Sequence, residues 1–412
     1  MTKPKIPCEL LVHGAQAVHA DAGDPLPGAD ALVVAAGRIA ALGTAADLRR
    51  RFVAAAELDA AGGLVAPGFV DAHTHPAFAR DRAEEFDWRA QGLSYVEIHA
   101  RGGGIHSSVR GVREASETRL TACVAAHFQR MLRHGTTTCE AKSGYGLSTD
   151  EELKSLRAIR AAALATGMTA VPTFLGAHLV PEEFAGQPDR YLDLLCAESL
   201  PAVKEAGLAG AADIYVEGHA FDLGRARRYL ERARELGFRL RVHAEQFDNM
   251  GGAALAAELG ADCADHLEAL DGQGIAALAA SGRTFAGLLP AVPHFLRQSQ
   301  DAPARALIEA GVPYFVATDF NPGTCYTASM PEALHFARVR LNLSAKEAFA
   351  GATSLAAASL GLAERKGRLA VGADADLIVL DLPSLGHLGY GFGENPVRAT
   401  VAGGRVVHRA IC

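Results

Sequence analysis

The chain has 412 residues, with 40 Lys and Arg against 47 Asp and Glu, a net charge of −7, 49% hydrophobic residues and 21% charged ones. That apolar content argues against disorder, and the absence of a long basic block argues against a nucleic-acid partner. Seven widely spaced cysteines without a CxxC pair exclude a disulfide scaffold or thiolate zinc finger and point to a reducing cytoplasm. The start, Met1-Thr-Lys-Pro-Lys, lacks a secretory apolar region. The most apolar stretch, 275–296, is interrupted by Arg283, Pro290, Pro293 and His294, so no membrane span is expected.

In chain order, the first sixty or so residues are expected to be strands. Apolar runs at 31–34 and 39–42 flank the turn Ala36-Gly37-Arg38, a hairpin pattern. A strand at 377–381 and a hairpin at 400–407 repeat this style near the other end. Between them, β-rich runs alternate with Ala-, Arg- and Glu-rich helical stretches. Ser148-Thr-Asp-Glu151 predicts a capping box for a helix that stops at Gly167. An amphipathic stretch at 225–236 stops at Gly237, Asp301 is expected to cap a helix running to Gly311, and Ser344 with Glu347 predicts another capping box.

Eight strand-like runs end in polar residues. The run 68–72 leads into His73-Thr-His75, 136–141 into Lys142, 169–176 to His178, and 213–216 into Glu217-Gly-His219. The run 239–242 leads into His243-Ala-Glu-Gln246, 261–264 into Asp265-His266, 284–289 into Pro290, and 313–318 into Asp319-Phe-Asn321. The later ends fall at 219, 243, 266, 290 and 319, the length of one strand, one helix and two short loops. An α/β fold with a (β/α)8 TIM-type barrel over 66–364 is expected, beside a small β-sandwich domain built from 1–65 and 365–412. A doubly wound sheet is the alternative. No strand is followed by GxGxxG, and Gly102-Gly-Gly104 lacks the Lys-Ser/Thr of a phosphate loop.

His73 and His75, two apart on a strand, point to one face. A chain with 16 histidines holds about 0.6 such pairs by chance, so context decides: this pair ends a barrel strand. His243 ends the fifth run, His266 the sixth, and Asp319 the eighth, which neighbours the first once a barrel closes. Each could be a wall residue or helix cap alone. Together His73, His75, His243 and Asp319 form a candidate site for one divalent metal.

The motifs Pro67-Gly-Phe-Val-Asp-Ala-His-Thr-His75, Lys142-Ser-Gly-Tyr-Gly-Leu147, Phe174-Leu-Gly-Ala-His178, His243-Ala-Glu-Gln246, Ala317-Thr-Asp-Phe-Asn-Pro-Gly323 and Gly372-Ala-Asp-Ala-Asp376 resemble the amidohydrolase superfamily, and within it the imidazolonepropionase family. The resemblance implies a mononuclear zinc or iron site, zinc favoured, on His73, His75, His243 and Asp319. It implies hydrolysis of the ring amide of 4-imidazolone-5-propanoate to N-formimidoyl-L-glutamate in histidine degradation, by a metal-activated water. The fourth run ends without the lysine that bridges two metals in many relatives, and Lys142 belongs to the second run.

By resemblance, Asp319 handles protons, His266 is a second proton-handling or oxyanion-stabilising group, and His178 hydrogen-bonds the ring carbonyl. Arg82 binds the substrate's carboxylate with a bidentate fork. Tyr145 and Tyr95 line the pocket, Gln246 holds the ring, and Asn321, Gly323 and Thr324 present polar groups. Glutamine transfers no proton near neutral pH, so position 246 is no general base here. Glu245 is expected to be structural, His219 a wall residue and Cys325 incidental. A cytoplasmic homodimer acting on a small carboxylate substrate, without membrane partners, is the family-level expectation. Other readings are another cyclic-amide hydrolase, a nucleobase deaminase, or a non-catalytic barrel.

Overall fold

The structure, a computed structural model, describes residues 4–93, 97 and 101–410. Eight strands form one sheet in sequence order: β1 (Phe69–Asp71), β2 (Thr136–Lys142), β3 (Thr169–Ala177), β4 (Ala211–Val216), β5 (Arg239–Ala244), β6 (Cys263–His266), β7 (Phe285–Leu288) and β8 (Tyr314–Val316). Every adjacent pair is parallel. Each of the eight runs overlaps one strand. The sheet closes beyond its last strand: Thr74 bridges Phe320, His75 N–H donates to the Phe320 carbonyl (2.9 Å), and Asp319 N–H to that of His73 (3.1 Å). Asp71 fastens this seam by accepting from the Thr318 backbone (3.0 Å) and hydroxyl (2.6 Å). The seam sets His73, His75 and Asp319 side by side.

Helices cover the outside because parallel strands are buried on both faces. The helix Glu117–Arg133, for example, buries Leu120, Val124, Phe128 and Met131 toward the barrel. Inside, most barrels stack Val, Ile and Leu. Here Glu140, Lys142, Asp213, Arg241 and Asp265 are buried beneath the mouth.

Both ends of the chain contribute two further sheets. One orders Arg38–Gly43, Ala31–Ala35, Ile6–His13 and Phe52–Asp59; the other orders Arg405–Arg409, Val397–Ala402, Leu377–Leu380, Leu64–Pro67 and Ala17–Val18. Leu10, Val12, Val34, Val65, Leu377 and Val401 fill one core between them. Both terminal hairpins form where expected.

Helix ends follow the turn chemistry with two exceptions. Gly167 closes its helix in the left-handed conformation (φ 80°), and the Ser344–Glu347 capping box forms. Ser148 sits at its N-cap but makes no capping bond. Glu151 pairs instead with Lys154, and the following Glu152 turns under the preceding loop. Asp301 does not cap Ala304–Glu309; its carboxylate takes Arg340 Nε at 2.7 Å, and Pro303 occupies the N-cap. The 275–296 stretch is divided among Gly272–Ser281, β7 and Ala291–Leu296. Among the described residues, no helix is long and apolar enough to cross a membrane.

Candidate metal centre and active site

Four side chains converge at the barrel mouth. His73 Nε2 lies 3.2 Å from His75 Nε2, and His243 Nε2 lies 3.3 Å from the same atom. Asp319 Oδ1 is 3.3 Å from both His73 Nε2 and His75 Nε2. The far sides of two rings are fixed: His73 Nδ1 donates to Asp265 (2.7 Å) and His243 Nδ1 to Asp213 (3.1 Å). In the neutral rings both Nε2 atoms are therefore lone-pair acceptors, as is Asp319 Oδ1. Acceptors crowded this closely repel one another unless positive charge, a proton or a metal cation, lies between them. The buried Asp319 Oδ1 has no hydrogen-bond partner, so it retains a lone pair for an ion. The donor set, three imidazoles and a carboxylate, suits a divalent transition metal.

The electrostatics express the same demand. Burial opposes the Asp319 charge, but His73 and His75 outweigh it and hold the carboxyl well below its usual range. Burial and Lys142 oppose protonation of His73, yet Asp265 and Asp319 raise it to about 9. Burial holds His243 and His75 down. Asp319 (φ 51°) and His266 (φ 82°) adopt left-handed backbone conformations. Such strain costs of order ~1–3 kcal/mol and clusters at functional sites.

His266 closes the group from β6: its ligating atom and those of His73 and His243 lie within 4.8 Å of one another. His178 stacks on His75, with centroids 5.4 Å apart, and its Nδ1 lies 2.9 Å from the Gly144 carbonyl. Burial and His75 push His178 down to about 3, so the ring is neutral. With Nδ1–H given to Gly144, Nε2 can only accept. This geometry departs from the expected bond to a carbonyl; the matching ligand group is an N–H.

The loop after β2 carries Tyr145. Burial raises its phenol, which stays protonated. Glu152 accepts the N–H groups of Gly144, Gly146 and Leu147 at 2.8 Å each and holds that loop.

Arg82 is buried and forms an ion pair with Glu85 at 2.7 Å. It lies against Gly323, where any Cβ would overlap the guanidinium. Gly323 thus makes room for Arg82 and does not itself line the pocket. Asn321 lines the pocket, with most of its amide engaged within its own loop. Its Oδ1 accepts from Gly323 N, Thr324 N and the Thr324 hydroxyl, and its Nδ2 donates to the Asp319 carbonyl. These bonds bind the loop to itself. Gln246 lines the pocket with its Oε1 occupied by the Tyr215 hydroxyl (2.7 Å), which leaves its amide N–H groups for a ligand. Tyr95 lies outside the described residues.

The pocket also includes Tyr215, His219, Phe247 and Ile105. His219 sits on its wall, 5.4 Å from the Tyr215 ring. Glu245 instead caps the helix Gly252–Leu259 through Gly252 N and Ala253 N. Cys325 is buried, which with Asp319 raises its thiol well above the ordinary value and leaves it unreactive. Sequence reasoning missed Asp213, Asp265 and Tyr215. The available signal was strand alternation, which turns Asp213, Tyr215 and His243 to one face, with Asp265 opposite His243 in register.

The sequence pattern of the amidohydrolase family matches residues 64–407. The chain belongs to the amidohydrolase family. As an amidohydrolase it is similar to the imidazolonepropionase of Symbiobacterium thermophilum, 44% identical over 97% of both chains. It is also similar to that of Rubrobacter xylanophilus, 46% identical over 96% of this chain and 97% of the relative. Among solved structures, an adenosine deaminase from Xanthomonas campestris with bound zinc superposes with a TM-score of 0.75 at 22% identity, covering 98% of this chain and 93% of the other. The guanine deaminase of E. coli gives 0.72 at 16% identity, with 99% of each chain covered. At such identities the likeness is one of fold.

Proposed function

We propose that this amidohydrolase cleaves the ring amide of 4-imidazolone-5-propanoate to N-formimidoyl-L-glutamate, a step of histidine breakdown. One observation carries the reading. The buried Arg82 lines the same pocket as the His75, His243 and Asp319 cluster, so a carboxylate anchor stands beside a hydrolytic centre. A flat cyclic amide with a propanoate tail fits that pairing, and the relatives named imidazolonepropionase supply its identity.

His73, His75, His243 and Asp319 would hold one divalent ion, zinc in preference to iron. When bound, such an ion makes water a competent nucleophile near neutral pH, lowering its pKa from ~15.7 to ~7. Lys142 supports a single ion. Burial opposes its charge, but Asp213 and Glu140 outweigh that and raise it, so it is an ammonium with no free amine to carry a bridging carboxylate.

The chain's own groups handle the rest. Asp319 accepts the proton of the attacking water and delivers it to the ring nitrogen as the C–N bond breaks. His266 donates to the developing oxyanion. His178 accepts a ring N–H through Nε2, and the Gln246 amide holds the ring from the other side. Arg82 forks onto the propanoate and fixes its direction. Tyr145 covers the ring face, and Thr324 lines the pocket at the Asp319 loop.

The same reading makes 66–364 the catalytic barrel and 1–65 with 365–412 one supporting domain, in a cytoplasmic homodimer that sedimentation would detect. The test of function is metal analysis of the purified chain alongside the loss of imidazolone absorbance. Stoichiometric zinc or iron with rapid loss supports it. A metal-loaded chain that spares the imidazolone but releases ammonia from a nucleobase would shift the assignment to a deaminase; opening of hydantoin rings alone would shift it to another cyclic-amide hydrolase.

A further inference from the structure

Beneath the ligand cluster lies a second layer that the reaction does not use: Glu140, Lys142, Asp213, Arg241 and Asp265, none more than 1% exposed. Buried charges persist where they are paired, and where their pairing holds something in place. Here each carboxylate faces two ways. Asp213 accepts from His243 through Oδ1 (3.1 Å) and from Lys142 Nζ through Oδ2 (2.7 Å). Asp265 Oδ2 accepts from His73 (2.7 Å), with Lys142 Nζ at 4.0 Å and Arg241 Nη2 at 3.6 Å. Glu140 takes Lys142 Nζ through Oε1 (2.8 Å) and, through Oε2, the backbone N–H of Thr74 (3.2 Å). Thr74 stands between His73 and His75, and its carbonyl accepts the backbone N–H of Lys142 (3.0 Å).

One ammonium thus bonds two supports directly, the carboxylate behind His243 and the clamp on the peptide between the paired ligands, and shares with Arg241 the neighbourhood of a third, the carboxylate behind His73. We propose that Lys142 is a positioning residue for the metal, setting ring orientation and ion affinity from behind the ligands without touching either ion or substrate. The inference rests on the four-ligand site proposed above. Outer partners of ligand imidazoles fix ring direction and basicity, and their loss typically weakens metal binding ~10–100-fold. Lys142 acts one bond further back, on Asp213 and on the Glu140 clamp, with Asp265 in electrostatic reach. Two cations against three carboxylates also leave the layer one charge negative, which favours a divalent ion above it.

The test is the zinc dissociation constant of the metal-stripped full chain, read by competition with a chromogenic chelator, together with the visible spectrum of the cobalt-loaded protein. Lys142→Met should weaken zinc ~10–100-fold and change the cobalt bands. Lys142→Arg, which keeps a cation, should recover most of that loss. A Lys142→Met protein with wild-type affinity and spectrum, and only a lowered melting temperature, would overturn the proposal and leave Lys142 a structural ion pair. Should that variant not fold, Glu140→Gln serves: a several-fold weaker zinc constant supports the linkage, and an unchanged one overturns it. Failure of the site itself reads differently, because then wild type and His73→Ala/His75→Ala would bind zinc alike.

Discussion

The barrel mouth and the terminal sandwich treat polar groups in opposite ways. At the mouth, Asp319 Oδ1, His75 Nδ1, His266 Nδ1 and Arg82 Nε are buried without a hydrogen bond. Among the described residues of the sandwich, no buried side-chain nitrogen or oxygen lacks a hydrogen bond. In the sandwich, Lys366 Nζ donates to Asp376 (2.6 Å) and Thr169 (2.9 Å), Arg365 forks onto Asp374, and Asp376 accepts from Gly403 N (2.7 Å). Folding favours the second arrangement, since a buried polar atom without a partner costs ~1–3 kcal/mol. Other such atoms, among them Thr136 Oγ1 and Tyr229 Oη, lie elsewhere in the barrel, but the four at the mouth belong to residues that line one pocket, which marks a site kept for a ligand.

The sharpest way to break this contrast is at Asp319. Asp319→Asn keeps the size and removes the charge that accepts the proton. Turnover should fall ~10³-fold, within the range for losing a proton-transfer group together with transition-state electrostatics. The melting temperature should move little, because relief of crowded acceptors offsets the lost ligand. Near-normal kcat would remove Asp319 from the mechanism. The mirror experiment is Lys366→Met. It leaves Asp376 buried and short of its cation, at a cost of ~3 kcal/mol. Denaturant unfolding should show that loss, while kcat of the folded enzyme stays within about two-fold. A fall in kcat without a fall in stability would show that the two regions are coupled.

How much of this was legible beforehand follows from what kind of contact each feature needs. The eight strands and the ligands at their ends follow from local pattern: β-rich runs, polar termini and regular spacing are all written along the chain. Contacts across neighbouring strands are not. Asp265 serves His73 from 192 residues away, and Lys142 meets Asp213 only because β2 and β4 face one interior. Asn321 had the right residue type at the right distance from Asp319 and lines the pocket, yet its Oδ1 is taken by its own loop, a competition that Asn wins readily at turns. Asp301 lost its capping role to Arg340, a tertiary partner no local motif announces. Gly323 was legible as part of a motif but not as the space for a guanidinium.

Arg82 sharpens the contrast more gently, because it binds rather than reacts. Arg82→Ala should raise KM ~10²-fold, with kcat within about three-fold, as expected when a buried charge-assisted pair is truncated. Arg82→Lys should fall between, since an ammonium keeps the charge but loses the planar fork. Adding the methyl ester of the substrate separates the alternatives: the ester should bind wild type and Arg82→Ala almost equally. A large kcat loss in Arg82→Ala with KM unchanged would move this residue from anchoring to chemistry.

The smallest effect belongs to an ion pair remote from the pocket. Glu347 receives the Arg305 fork (2.8 and 3.1 Å) and closes the capping box on Ser344 N (2.8 Å). Arg305 chiefly, against burial and aided by Ser344, holds its carboxyl down to about 2. The folded value is depressed, so the contribution is present above the unfolded carboxyl range and is lost as pH falls from there through about 2. Both partners are roughly one-third exposed, so screening leaves only ~1 kcal/mol. Glu347→Gln should therefore destabilise by ~1 kcal/mol at pH 7 in urea, and the gap to wild type should close on acidification, with KM and kcat untouched. A gap that persists at pH 2 would assign the loss to packing rather than charge, and a changed KM would mean that the helix Ala345–Gly351, which stands against β8, transmits to the Asp319 loop.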